Sequence, residues 1–255
     1  SGRTNMGSLG NDATNNLFYL VAYNRPLVFG AGADGTERMR INSSGNVGIG
    51  VVPQTTATAF DALQLGGNAN WTSYGTQGAG GEMDFGHNFY HHVDGNSKYL
   101  SADEVTMYRQ GSGRHTWHTL ASASAGTNIN WTTAAKMTLD ASGNVGIGTA
   151  SPSSYDSASD DLVIAGTGNR GMTIISATDS NSTIAFGDGT GSAGYQGMVA
   201  YLNANNAMTF RTTAIERMRI DSAGNVGIGI TAHQASATSG RRRCYRIPQR
   251  RHNRW

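Results

Sequence analysis

Cysteine is almost absent from this chain: Cys244 is the only one in 255 residues. That excludes a disulfide framework and any cysteine-spaced metal site. No run of about 18 apolar residues occurs, so no transmembrane helix and no membrane insertion is expected. The opening Ser1-Gly2-Arg3 has no signal-peptide core and reads as a scar or an internal cut. Large aliphatics are scarce. Leu, Ile, Val and Phe total 42, about 16 % of the chain, below the roughly 20 % under which chains tend to disorder. Disorder also needs a high net charge, and here it is only +2. Thirty-five glycines and abundant Ser, Thr, Asn and Ala point instead to all-β structure with many tight turns and thin local cores. Nucleophile elbows, phosphate loops and dinucleotide fingerprints are missing as well. Gly75 to Gly81 is glycine-rich, but no helical pattern follows, so it reads as a flexible loop.

Charge of one sign is confined to one place. Seven of the 19 basic residues are Arg241, Arg242, Arg243, Arg246, Arg250, Arg251 and Arg254. The first 240 residues therefore carry −5 and offer no basic surface for nucleic acid or an anionic membrane. A polyanion-binding arm and an irregular terminus are the two readings of residues 230–255. The expectation is the second, because nothing before residue 230 needs them.

What the chain does have is a repeat. Glu37-Arg38-Met39-Arg40-Ile41-Asn42-Ser43-Ser44-Gly45-Asn46-Val47-Gly48-Ile49-Gly50 returns from Ala135 to Gly148 and from Glu216 to Gly229. Gly45, Gly143 and Gly224 are 98 and then 81 residues apart, too far for adjacent coils of a short-period solenoid. Alternating apolar residues around a polar knot predict a β-hairpin. Asn or Asp followed three places later by Gly fits a type I turn closed by a left-handed glycine. Met39 then faces Ile49, and Ile41 faces Val47. The later copies pair Met137 with Ile147, Leu139 with Val145, Met218 with Ile228, and Ile220 with Val226. On the other face Arg40 and Arg38 lie over Gly48 and Gly50, and Arg219 and Arg217 over Gly227 and Gly229. Pairing with acidic groups of neighbouring chains, Glu37 and Glu216 being candidates, and a solvated strand face are the two readings.

An isolated hairpin is marginal in water, so the apolar face needs a partner. Self-association of parallel chains, three by expectation, is the simplest source of one. The fold expected is an elongated array of repeated hairpins and short strands in a parallel homotrimeric fibre. Its segments are a partial repeat (1–50), a long repeat with an aromatic and His-rich insert (51–148), a shorter repeat (149–229) and the basic tail (230–255). An apolar-x-aromatic strand is expected before each hairpin: Leu27-x-Phe29, Ile129-x-Trp131 and Met208-x-Phe210. Asp61–Gly66 resembles Asp161–Gly166, and Met83–Gly86 resembles Ile184–Gly187. About 17 extra residues in the first interval are assigned to longer loops between 66 and 128.

The three copies, each behind an apolar-aromatic strand, with Thr149-Ala150-Ser151-Pro152 after the second, resemble the shaft repeats of bacteriophage tail fibres and tail spikes over roughly residues 17–232. The resemblance implies a trimeric, β-structured virion appendage, made in the host cytoplasm, that joins other phage tail proteins and meets a bacterial surface glycan or protein. Many relatives end in a self-cleaving intramolecular chaperone domain; nothing similar is present in these residues, so self-cleavage is not expected. A polysaccharide-degrading tail spike and a bacterial surface adhesin are the alternatives.

Three constellations could carry chemistry. His87, His91, His92, His115 and His118 cluster in the insert, and His115-x-x-His118 with Asp84 or Asp94 has metal-ligand residue types. On a strand, however, residues three apart face opposite ways, so neither metal nor cofactor is expected. Glu82, Asp84, Asp103 and Glu104 offer carboxylates, but no spacing fixes a pair for glycoside cleavage, and no enzyme is expected. The insert is also rich in aromatics, whose faces stack on sugar rings. Trp71, Tyr74, Tyr90 and Trp117 are the candidate glycan-binding residues.

Overall fold

The computed structural model describes residues 7–12, 17–22, 25–33, 35–54, 56, 60–75 and 81–229. Half of the chain is strand, no helix reaches seven residues, and no barrel closes among the described residues. It divides into two compact units, Ser1–Arg170 and Gly171–Trp255.

In the first unit β1 (Gly7–Asp12) and β2 (Leu17–Ala22) pair with each other. Then come β3 (Leu27–Gly30), β4 (Glu37–Ile41), β5 (Val47–Ile49), β6 (Phe60–Leu65), β7 (Ala69–Tyr74) and β8 (Glu82–His87). A small hairpin follows, β9 (Phe89–His91) with β10 (Ser97–Tyr99). The unit ends with β11 (Asp103–Gly111), β12 (Arg114–Ala123), β13 (Ala135–Leu139), β14 (Val145–Ile147) and β15 (Leu162–Ile164). Eleven of these strands form one sheet, β3 through β8 and then β11 through β15 in order. All neighbours are antiparallel except β5–β6 and β14–β15. The second unit holds β16 (Asn181–Phe186), β17 (Gly197–Leu202), β18 (Ala207–Thr212), β19 (Ile215–Ile220) and β20 (Val226–Ile228), a five-stranded antiparallel meander.

All three predicted hairpins form in the predicted register: Met39 opposite Ile49, Met137 opposite Ile147, Met218 opposite Ile228. Their loops share one chemistry. The Asn42 side chain accepts from the amides of Ser44 (2.9 Å) and Asn46 (3.0 Å), and Asp140 and Asp221 do the same in their copies. Gly45, Gly143 and Gly224 have φ of +87°, +92° and +82°, the left-handed conformation that glycine adopts without a Cβ penalty.

The glycine inside the motif has another reason. The chain leaving β5 crosses over its own strand to enter β6 in parallel, and a Cβ on Gly48 would sit 2.2 Å from the Val51 carbonyl oxygen. Gly146 meets Thr149 and Pro152 the same way. Asn46, fully buried, pins this crossover: its Nδ2 donates to Thr56 Oγ1 (2.9 Å), and its Oδ1 accepts from the Ala62 amide (3.0 Å). Asn144 holds Asp160 equivalently (2.9 Å). Asn46→Ala strands a buried amide and is expected to cost about 1–3 kcal/mol, read as a lowered urea midpoint at constant slope.

The arginine face differs from expectation. Arg40 does not lie free over Gly48; it makes a bidentate pair with Glu37 of its own chain (2.7 and 2.6 Å), and Arg219 does so with Glu216 (both 2.8 Å). The cause is a bulge after the aromatic of each preceding strand. One extra residue there, Arg38 or Arg217, turns residues three apart onto the same face. Within the chain the acidic partner of each arginine is local, three residues away.

Three other expectations shift. The middle strands match two residues away from the sequence alignment, since Ile184 and not Phe186 takes the place of Phe85. The strand before the second hairpin is built on Trp117, which sits opposite Met137 as Phe29 does opposite Met39. Ile129 and Trp131 lie instead in the following loop and 3₁₀ turn, against the core. The entry strands match one residue away from the alignment read off the sequence: Val47 pairs with Leu63 and Val145 with Leu162, so Leu63 corresponds to Leu162. A one-residue slip matters because it exchanges the two faces.

The extra residues of the first interval are only partly loop. They include β9–β10, which folds over one side of the large sheet and encloses the core cluster Phe89, Tyr99, Val105, Met107 and Ile129. Gly86 gives room for the Phe89 ring, whose Cε1 would be 2.8 Å from a Cβ there.

Candidate functional site

Tracing the register across the large sheet gives one unbroken cross-strand row: Leu27, Ile41, Val47, Leu63, Trp71, Phe85, Tyr108, Trp117, Met137, Ile147, Ile164. All eleven strands contribute, and every residue is apolar or aromatic. Much of the row is exposed. Trp71, Phe85, Trp117, Met137 and Ile147 are between 37 and 56 % exposed, and the others half-buried. At its centre the rings touch: Trp71 meets Phe85 edge-on at 6.4 Å, and Tyr108 lies 5.2 Å from Trp117.

The next row over, on the opposite face, reads Ala62, Thr72, Asp84, Arg109, Thr116, Thr138, Gly146, Val163. Six of these are buried. Along this row the buried side is largely polar while the apolar row is on the open side, and the apolar core sits elsewhere on the buried side, beneath β9–β10. The second unit has a row of the same kind. Ile184, Val199, Phe210, Met218 and Ile228 form its apolar row. Ala200, Thr209 and Gly227 are buried on its other face.

The buried polar face is held by one network. Arg109 donates Nε and Nη2 to the two oxygens of Asp84 (2.7 and 2.8 Å), and its Nη1 lies 3.1 Å from Glu82 Oε2. His91 Nε2 meets Asp84 Oδ2 at 3.0 Å, His91 Nδ1 meets Ser97 Oγ at 2.9 Å, and Trp131 Nε1 donates to Ser97 Oγ at 2.7 Å. Burial opposes the charge on Asp84, but Arg109 and His91 outweigh it and hold the carboxyl below its usual range. The Ser97–His91–Asp84 order resembles a hydrolase triad, yet the geometry is that of a lock. Ser97 is only 7 % exposed, the Trp131 indole occupies its oxygen, and the Phe60 ring stacks on His91 at 4.0 Å. The network fastens β9–β10 to the sheet, assisted by Asn70, whose amide donates to the Phe89 carbonyl (2.9 Å).

The predicted site residues divide. Trp71 and Trp117 fall in the apolar row, whereas Tyr74 is on the opposite face against Phe60 (4.9 Å) and Tyr90 is on β9 beside His92. The four do not make one surface. The histidines scatter too: His115 pairs with Tyr108, His118 with Thr116, His92 with Asp94, His91 with Asp84. No three metal-ligating side chains cluster among the described residues. Of the carboxylates, Asp84 and Glu82 share Arg109, and Asp103 lies 4.0 Å from His87. The basic tail lies outside the described residues.

His118 carries a testable consequence. Burial first, then the positive charges of Arg109 and Lys136, push its pKa from 6.5 down to about 4 against a smaller opposing pull from Asp84. Its Nδ1 is buried without a partner. The folded state therefore favours the neutral ring. Its contribution is full above pH 6.5, falls between pH 6.5 and 4 as the unfolded chain takes the proton first, and is gone below. A loss on the order of 2–3 kcal/mol across that window is expected. His118→Gln should flatten that part of the stability–pH curve measured by urea unfolding.

No protein-family model, curated protein or solved structure matches the chain.

Proposed function

We propose that this chain is a non-enzymatic structural segment of a bacteriophage tail fibre or tail spike, assembling as a parallel homotrimer and serving as shaft and host-recognition surface. The single observation that carries the reading is the open row of eleven apolar side chains. A contiguous apolar surface of this kind marks an interaction site, and its uniform character along every strand suits identical chains lying side by side. The motif resemblance supplies the class of assembly. Low net charge, the turn-rich composition and the local Arg–Glu pairs accord with it.

In this reading Trp71 and Trp117 belong to the contact between copies, not to the receptor surface. Tyr74 and Tyr90, on the other face, are the remaining aromatic candidates for a bacterial surface glycan. Asp84 and Glu82 are committed to Arg109, which disfavours a glycoside-cleaving tail spike. The test is saturable binding of labelled protein to candidate bacteria, with free glycans as competitors and the supernatant assayed for reducing ends. Competed binding without release is the expected result. Released reducing ends would make the chain an enzyme, and absence of binding across hosts would leave it without a recognition role.

A further inference from the structure

Apart from the inserted β9–β10 hairpin, the two repeats differ in one strand. In the first, β7 precedes β8 and pairs with it over six residues, Ala69 opposite His87 through Tyr74 opposite Glu82. By register, β16 is the counterpart of β8. Ile184, Val199, Phe210, Met218 and Ile228 follow one another as Phe85, Tyr108, Trp117, Met137 and Ile147 do. Yet β16 is an edge strand, bonded only to β17 among the described residues. The stretch before it, Met172-Thr173-Ile174-Ile175-Ser176, is rich in β-forming residues and belongs to no strand. Its apolar residues are conspicuously bare: Met172 is 58 %, Ile174 41 % and Ile175 87 % exposed.

This stretch is already tied beside β16 at one end. Ser176 Oγ donates to the Asn181 carbonyl (2.9 Å), Ser182 Oγ to Ser176 Oγ (3.3 Å), and Asn203 Nδ2 to the Ala177 carbonyl (2.9 Å). A turn with Ser180 N donating to Ala177 O (3.0 Å) reverses the chain between them. We propose that Met172–Ser176 is an edge guard, a sixth strand poised to zip antiparallel onto the free edge of β16 from the anchored Ser176–Asn181 end. That register puts Ile175 opposite Ser182 and Thr173 opposite Ile184. Ile175 then joins the apolar face, with Ser182 between it and Tyr201, while Met172 and Ile174 turn to the other face with Ala185 and Thr183. Open edges pair indiscriminately with other chains. A strand from the same molecule satisfies β16 and leaves the apolar face as the surface through which copies meet. The occupant is the chain's own segment because a turn of four residues, 177–180, links the two partners and makes closure local. The inference concerns one chain and does not require the trimer.

Two measurements test it. With Cys244→Ser throughout, Thr173→Cys with Ile184→Cys is oxidised mildly and analysed by peptide mapping and non-reducing gels. A disulfide within one chain, formed at least 10-fold faster than in the register-shifted pair Met172→Cys with Ile184→Cys, is expected. Crosslinks between chains, or equal rates for both pairs, would overturn the proposal. Hydrogen exchange on the unmodified chain gives the second reading: slowing of at least 10-fold relative to the unstructured rate at the alternate amides of 172–176 that face β16 supports closure, and exchange of all five at that rate refutes it. Loss of oligomerisation in sedimentation, with these results unchanged, would count against the trimer alone.

Discussion

Phe85→Glu is expected to abolish self-association while leaving the single chain folded. Phe85 is 56 % exposed within its own chain, and substitutions at such surface sites usually change monomer stability by within about 0.5 kcal/mol. In the proposed trimer the same position lies in the middle of the buried row, so three carboxylates would enter an apolar contact together. Each unpaired buried charge costs several kcal/mol. Three copies sum to about 10 kcal/mol, which lowers the association constant by about seven orders of magnitude. Val93→Glu is the matched control, since Val93 is 55 % exposed but sits in the β9–β10 turn on the other side of the sheet. Sedimentation of the two variants should give one chain for Phe85→Glu and an undiminished oligomer for Val93→Glu. Equal behaviour of both would remove the apolar row from the account.

Asp84→Ala is expected to destabilise the first unit by about 3–5 kcal/mol, because it leaves the Arg109 guanidinium buried without its main counter-ion. For a chain of this size each kcal/mol lowers the melting temperature by about 2–4 °C, so a fall of about 6–20 °C should appear in a thermal scan. The β9–β10 hairpin should loosen with it, since His91 loses its carboxylate and the Ser97–Trp131 link loses its anchor. Asp84→Ala with Arg109→Met restores a neutral interior, and replacing both ends of a buried pair is often neutral or stabilising. The double variant should therefore recover most of the loss. If Asp84→Ala melts with the parent, the network is not what fastens the hairpin to the sheet.

Features fixed by a few adjacent residues were legible in the sequence. Asn42, Asp140 and Asp221 cap their own turns, and Gly45, Gly143 and Gly224 close them, so hairpin register followed from the motif alone. The strand ahead of the second hairpin was not legible, because that segment offers two aromatics with alternating neighbours. Ile129-x-Trp131 fits the apolar pattern better than His115-x-Trp117, and the pairing of Trp117 with Met137 decides it. The meaning of Gly48 was half visible. Its need for a small residue is a fact about the crossover above it, and no local pattern records that. Least legible was the polar network on the buried side. Asp84, His91, Ser97 and Arg109 come from four strands, and only the fold joins them. A signal did exist in the alternation of β8: Asp84 shares a face with Glu82 and Gly86, opposite Phe85. That says the phenylalanine and the carboxylate look opposite ways, though not which side is inside. Of the four aromatics expected to share one surface, Trp71 and Trp117 are members of one row and Tyr74 and Tyr90 are not.

The central claim is that sister molecules cover the apolar row. Equilibrium sedimentation of the unmodified chain at micromolar concentration measures this directly. A single species near three times 26.8 kDa is the result predicted, and a folded species that stays at 26.8 kDa across the concentration range would contradict it.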